Sequence, residues 1–464
     1  MTVISQSKYR EIIQDFAKTI KDRKVKGAKP EKTVIFFRNE AKDGIERDVY
    51  KVPTECLRYR KYNGRILSDI KSYEANHGVF DEKMQKTQNI ISEFLERKDP
   101  ENTNALMKSI EHAGQLEPAI ITCDGFLING NRRKMVFNKL YPSNNEKYGM
   151  MKVVILPNVG DEGGPPTIKE IEHIENRYQL QRDGKSEYYG FDMALSIKRK
   201  IDSGLTLKEQ LRDDPRYIGM NDAELKKIVK KYERDYLFPL ECVDRYLESL
   251  GRMGLYDSVS TGVGDKEGRW QAFIDYGIFY KNYLSNEKWR IEAGIEEDEI
   301  GDIEDMAFKI IRKREVPSRR LNDVIRDLKK FLKNTESKKL LTSLEREVDI
   351  QLPHEDYHDK DGNELSTRTL DIVWGKKYNK NFAHKINAAY GHLENQQERE
   401  TPLTLLEAAL KKLNHDNMDL KNISVSDQNK AMKLARAIKE RANELESEAY
   451  QFQKDFKSLK NKKW

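Results

Sequence analysis

Three cysteines occur in 464 residues, Cys56, Cys123 and Cys242, and none of them forms a Cys-x-x-Cys pair. That spacing excludes a clamped zinc or a dithiol redox centre and fits a reducing compartment. Long apolar runs are missing too. No segment approaches the roughly 18 apolar residues of a membrane span, and Met1 to Lys24 contains no apolar core of signal-peptide length. The chain is therefore expected to be soluble and cytoplasmic, with no membrane contact. Nor does one charge predominate: 84 basic against 78 acidic residues leave a net charge of +6, so any affinity for nucleic acid must come from local patches. With 35% charged and 37% hydrophobic residues, the composition suits solvated helical domains rather than large buried sheets and argues against an all-β fold.

Periodicity places the elements. Tyr9, Ile12, Ile13, Phe16 and Ile20 recur at helical spacing and predict one amphipathic helix within residues 3–24. Thr33 to Phe37 and Asp48 to Val52, rich in β-branched and aromatic residues, flank the turn Lys42-Asp-Gly44 and predict a hairpin. A compact α/β unit follows: helix Asn104 to Ala113, strand Ala119 to Thr122, turn Asp124-Gly125, strand Phe126 to Ile128, helix Arg132 to Leu140, strand Lys152 to Leu156. Gly160 to Pro166 reads as a loop, and Ile168 to Tyr178 as a helix. Beyond residue 185 the pattern is helical, with one strand expected at Leu370 to Trp374.

Near the C-terminus, residues 401–414 predict a helix with Pro402 in its first turn, and a second helix is expected to start near Ser426-Asp427. In the latter, Ala431, Ile438, Leu445, Phe452 and Leu459 repeat every seventh residue, as do Ala435, Ala442, Ala449 and Phe456. This two-position seam can close on its own chain, against residues 403–413, or on a second subunit, because heptads do not name their partner. A chain of this length accommodates about three domains. The expected division is an N-terminal extension (1–47), an α/β domain (48–165), a helical domain (166–250), a further helical region (251–400) and a C-terminal helical hairpin or coiled coil (401–464). The fold class is α+β.

Chemistry concentrates at Gly130-Asn131-Arg132-Arg133, on a strand-to-helix junction. A glycine there lets a ligand approach the backbone, the helix start offers unpaired N–H groups, and two guanidinium groups neutralise phosphate. Upstream lies Leu106-Met-Lys-Ser-Ile-Glu-His-Ala-Gly-Gln-Leu-Glu-Pro118, and downstream Glu175-Asn-Arg-Tyr-Gln-Leu-Gln-Arg-Asp183. In this order the three segments resemble the N-terminal nucleotide-binding domain of the ParB/sulfiredoxin superfamily, over residues 48 to about 240. The resemblance implies a pocket for a nucleoside triphosphate, CTP in the partitioning branch. In it Ser109, Gly114 and Pro118 shape the floor, while Gly130, Asn131, Arg132 and Arg133 grip the phosphates. It also implies that Glu175 and Asn176 hold magnesium, with Arg177 or Arg182 as a further phosphate contact. Asn131 stands where partitioning proteins usually carry glutamate, and no residue here reads a cytosine edge. Sulfiredoxin chemistry needs a cysteine in the Gly130 box. Cys123 precedes the hairpin instead, and is expected to be a buried small side chain.

Gly204 to Arg212 and Asn221 to Tyr232 read as two capped helices, in the place of the helix-turn-helix of partitioning proteins. The second presents Lys226, Lys227, Lys230 and Lys231 as candidate DNA contacts. Three other strings carry little. His354-Glu-Asp-Tyr-His358 matches a zinc-protease motif but follows Pro353 and runs into a turn; Asp359, Asp361 and Gly362 lack the flanking residues of an EF-hand; Gly262-Val-Gly264 lacks the Gly-Lys-Ser/Thr of a P-loop. The expected function is that of a ParB-like, nucleotide- and magnesium-dependent DNA-associated protein, homodimeric through its C-terminal helices. Two alternatives stand beside it: a nuclease or phosphotransferase in which Glu175 or Asp124 activates the nucleophile, and a helical interaction protein with an inactive nucleotide domain.

Overall fold

The computed structural model describes residues 8–25, 31–38, 44–98, 100–180, 190–217, 219–259, 269–316, 319–352, 357–358, 362, 364–415, 418 and 420–461. The fold is mixed α+β and mostly helical, and it divides into two compact units, residues 1–392 and 393–464. No helix among the described residues is long and apolar enough to cross a membrane.

Only the second half of the expected N-terminal helix forms, as α1 (Gln14–Arg23). The residues before it are held extended because the Asp124 carboxylate accepts from Arg10 at 2.7 Å and from the Ile13 N–H at 3.0 Å, while Tyr9 bridges to Thr167. A hairpin forms, but its second strand is earlier than expected: β1 (Lys32–Ile35) pairs with β2 (Ile45–Asp48), with Ile35 opposite Ile45. The run from Asp48 to Val52 is not one strand, however. It ends β2 and then begins β3 (Tyr50–Pro53), which leaves the hairpin to join another sheet.

Three helices, α2 (Leu67–His77), α3 (Gln85–Lys98) and α4 (Pro100–Ala113), lead to β4 (Ala119–Ile121), then α5 (Asn131–Leu140), α6 (Asn145–Tyr148) and β5 (Met150–Ile155). The second sheet has the order β3-β5-β4, antiparallel between β3 and β5 and parallel between β4 and β5. Both its faces are covered. Ala119, Ile121, Met151 and Val153 pack on one side with Ile91, Ile110 and Val136 of the helices. Ile120 and Val154 pack on the other with Ile35, Phe37, Ile171 and Ile174. Burial on two sides explains why β4 reads as a continuous apolar run instead of an alternation. The expected strand Phe126 to Ile128 makes only bridges, Arg58 with Phe126 and Ile121 with Leu127, since the chain must turn at Gly125 (φ 86°) and open α5 within a few residues.

Next come α7 (Ile168–Leu180), α8 (Gly190–Asp202), α9 (Leu207–Arg212), α10 (Asp222–Tyr232) and α11 (Phe238–Ser249). Thr206 and Glu209 close a capping box on α9, and the Asn221 side chain caps α10 through the Glu224 N–H at 2.9 Å. Ile197, Leu207, Leu211, Leu225 and Tyr232 form the shared core of α8 to α10.

The rest of this unit is α12 (Arg269–Phe279), α13 (Glu287–Ala293), α14 (Glu299–Lys313), α15 (Leu321–Phe331), α16 (Thr335–Glu347), α17 (Thr367–Lys377) and the first turns of α18 (Asn379–Leu413). The strand expected at Leu370 to Trp374 is instead helical, within α17. Ser366 caps that helix at the Thr369 N–H, and Leu370 and Trp374 are buried at i and i+4 on its inner face.

Pro402 lies inside α18 and not in a first turn. The helix starts well upstream, with Phe382, Ile386 and Ala389 buried in the core of the first unit. In the second unit α19 (Gln428–Asn461) follows a short turn, Val425–Asp427, close to the expected start. Its seam is not closed against residues 403–413: Leu403, Leu406 and Leu410 are exposed, as are Ile438 and Phe452. The side chains of Phe456 and Leu459 lie outside the described residues.

Candidate functional site

Two left-handed glycines shape the site. Gly114 (φ 72°) ends α4, and Gly130 (φ 84°) is the residue before α5. Gly130 is confined further, because a Cβ there would stand 2.7 Å from the Cβ of Ala119 on β4. Any side chain would push the start of α5 away from the strand.

Between these points lies a cavity of about 450 Å³, which brings together Ser109, Gly114, Gly130, Asn131, Arg132, Arg133 and Glu175 from three separated stretches of sequence. Pro118 and Asn176 are not among its lining residues. Leu106, Ile110 and Ile128 supply an apolar wall. Asn131 Oδ1 is buried with no hydrogen-bond donor among the described residues. Arg133 donates to the carbonyl of Glu117 and pairs with its carboxylate at 3.8 Å. Burial lowers its affinity for the proton, Glu117 opposes that, and the guanidinium remains charged.

Behind the cavity wall is a buried ionic cluster. Glu175 Oε2 lies 3.5 Å from both Arg60 and Arg199. Glu172, one turn earlier, pairs with Arg60 at 3.3 Å and also with Arg199. Burial alone would raise the Glu172 carboxyl, but Arg199 and Arg60 hold it down to about 2. The Lys200 ammonium, buried and donating to Asn176 Oδ1 at 2.9 Å, is pulled down by burial to about 8.

Asn176 faces away from the cavity, towards α9. Its amide donates to the Gln210 carbonyl at 2.8 Å, and beside it Asp213 gathers Arg177 at 3.1 Å and His173 at 2.7 Å. Arg177 is thus committed to an ion pair with α9, and Arg182 lies outside the described residues. Lys226, Lys227, Lys230 and Lys231 are all exposed on α10.

Asp124 is fully buried and saturated by Arg10, Ile13 and Thr122, and does not reach the cavity. It clamps the N-terminal segment. Cys123 is buried as expected, its thiol pushed up to about 11 by burial. His354, Asp359, Asp361, Gly262 and Gly264 lie outside the described residues; His358 is exposed and bridges to Glu364.

Sequence reasoning missed Asn63, Arg65, Asn102 and Tyr178, which also line the cavity, and Arg60 and Arg199 behind it. The one available signal was the density of arginine and tyrosine in Arg58-Tyr-Arg-Lys-Tyr-Asn-Gly-Arg65, an unusual run for a segment with no periodicity. Compared with known protein families, curated proteins and solved structures, the chain matches none.

Proposed function

We propose that the chain is a ParB-like, nucleotide-dependent, DNA-associated protein whose cavity at Gly130 to Arg133 takes a nucleoside triphosphate, with CTP as the first candidate. The observation that carries this reading is the convergence of Ser109, Gly114, Gly130, Asn131, Arg132, Arg133 and Glu175 on one cavity. Charged donors beside an apolar wall suit a ligand with a phosphate end and a flat, less polar end. The test is calorimetric titration with each of the four ribonucleoside triphosphates, with and without duplex DNA. Absence of binding to folded protein in every case would sink the reading.

DNA contact is assigned to α10. Its four lysines share an exposed helix surface, and each phosphate contact would release counterions. Charge reversal at Lys227 and Lys230 is expected to weaken binding to all duplexes alike and to flatten the salt dependence. A loss confined to one DNA sequence would point to base reading instead.

The exposed seam of α19 supports pairing with a second copy of the chain. Replacing Leu445 and Phe452 by Asp is expected to convert a dimer to a monomer in light scattering, with helicity kept. Unchanged mass would refute the assignment.

A further inference from the structure

The family resemblance implies a divalent metal between Glu175, Asn176 and the phosphates, and the donors present do not fit one. Resting on the nucleotide reading above, we infer that this cavity takes its phosphate ligand as a free anion, directly on guanidinium groups, with no divalent cation held by Glu175 and Asn176.

Asn176 has one oxygen to offer a hard cation, and that oxygen already accepts from the Lys200 ammonium at 2.9 Å. Its amide is bonded to Gln210, and the residue is not at the cavity wall. Glu175 does reach the wall, but Arg60 and Arg199 each stand 3.5 Å from its Oε2. A magnesium ion on that oxygen would be pressed against two permanent positive charges.

The wider balance points the same way. Magnesium at a nucleotide site is held by one or two carboxylates free to turn to it, together with the substrate's phosphates and waters. Here Arg65, Arg132 and Arg133 line the cavity and Arg60 and Arg199 stand behind it, while the nearby carboxylates Glu117, Glu172 and Glu175 are each already in an ion pair. Among these described residues the arginines outnumber the carboxylates five to three, a positive surplus. An anion is what neutralises it, and Arg60 and Arg199 supply behind Glu175 the screening that a metal would otherwise give.

The experiment is calorimetry on the full chain with the sodium salts of CTP, ATP, GTP and UTP, each in EDTA and in magnesium chloride. The expected result is that the preferred triphosphate binds in EDTA at least as tightly as in magnesium, because complexation removes charge from the ligand. Glu175→Gln, which takes one anion from beside the phosphates, is expected to tighten binding several-fold in both buffers. Binding of the unaltered chain at least roughly tenfold tighter with magnesium would overturn the inference and leave the nucleotide reading standing. Should no triphosphate bind in either buffer, both would fall. The comparison of buffers on the unaltered chain needs no variant, so it decides the matter even if Glu175→Gln does not fold.

Discussion

Replacing Asp371 by Asn is expected to destabilise the first unit by about 3–5 kcal/mol, the usual cost of removing one partner from a buried ionic group. Asp371 on α17 is fully buried and meets Arg252 at 2.8 Å, Arg312 at 2.9 Å and Arg269 at 3.0 Å. These arginines come from the connection after α11, the start of α12 and α14, so one carboxylate ties four parts of the helical region together. Arg269 and Arg312 also donate to the carbonyls of Ser258 and Ile350, which fixes their planes. Without the carboxylate the guanidiniums would repel one another in a medium that screens them poorly. A loss of that size is a large part of the roughly 5–15 kcal/mol that holds a typical domain together. Urea unfolding followed by tryptophan fluorescence is the measurement, since Trp270, Trp289 and Trp374 are all buried in this unit. A midpoint within error of the parent would show that the cluster contributes nothing.

The same cluster has a pH signature. Burial would raise the Asp371 carboxyl, but Arg269, Arg252 and Arg312 overrule it and hold the group down to about 2. A carboxyl lowered on folding adds stability that is fully present above its unfolded value, near 3.8, and disappears as the pH falls through about 2. The parent is therefore expected to lose more stability between those values than Asp371→Asn, which has no proton to take up there.

How far these features could be read from sequence depends on the physics of each segment. The β4 to α5 junction was legible because everything there is local: a short apolar run, a turn at Gly125, a glycine before a helical period, two arginines in the first turn. The helices α2 and α3 were not, although they bring Leu95 to the cavity and follow the loop that brings Asn63 and Arg65. In α2 the buried residues include Ser68 and Ser72 beside Leu67 and Ile70, so the apolar stripe is diluted by small polar side chains. The strand expected at Leu370 to Trp374 failed for a related reason, since a short apolar run fits either period when its cap at Ser366 is overlooked. Glu175 and Asn176 show a different limit. Neighbours on a helix diverge by about 100°, so a motif naming both as ligands cannot tell which of them faces the ligand. Here Glu175 turns to the cavity and Asn176 to α9. Arg60 and Arg199, which decide the charge of Glu175, are too far away in sequence to be paired with it before folding.

Arg132→Ala and Arg133→Ala are each expected to weaken nucleotide binding by about ten- to a hundredfold, because a charge-assisted hydrogen bond contributes roughly 1.5–3 kcal/mol. The two should differ. Arg133 is also the partner of Glu117, at 3.8 Å and through the Glu117 carbonyl, and Glu117 is itself at the cavity wall. Removing Arg133 therefore takes away a positive charge and exposes a negative one to the phosphates, so Arg133→Ala should lose more affinity than Arg132→Ala. A double substitution separates the two contributions: Glu117→Gln in the Arg133→Ala background should restore part of the binding, whereas the same change beside Arg132→Ala should do much less. Arg→Lys at either position keeps the charge but loses the planar fork, and should fall between parent and Ala. Calorimetry with CTP, alongside a thermal melt to confirm folding, reads all of these. If Glu117→Gln restored nothing to Arg133→Ala, the pair would be a structural contact at the end of the α4 to β4 loop. If neither arginine mattered at all, the phosphates would have to lie elsewhere in the cavity, nearest to Arg65.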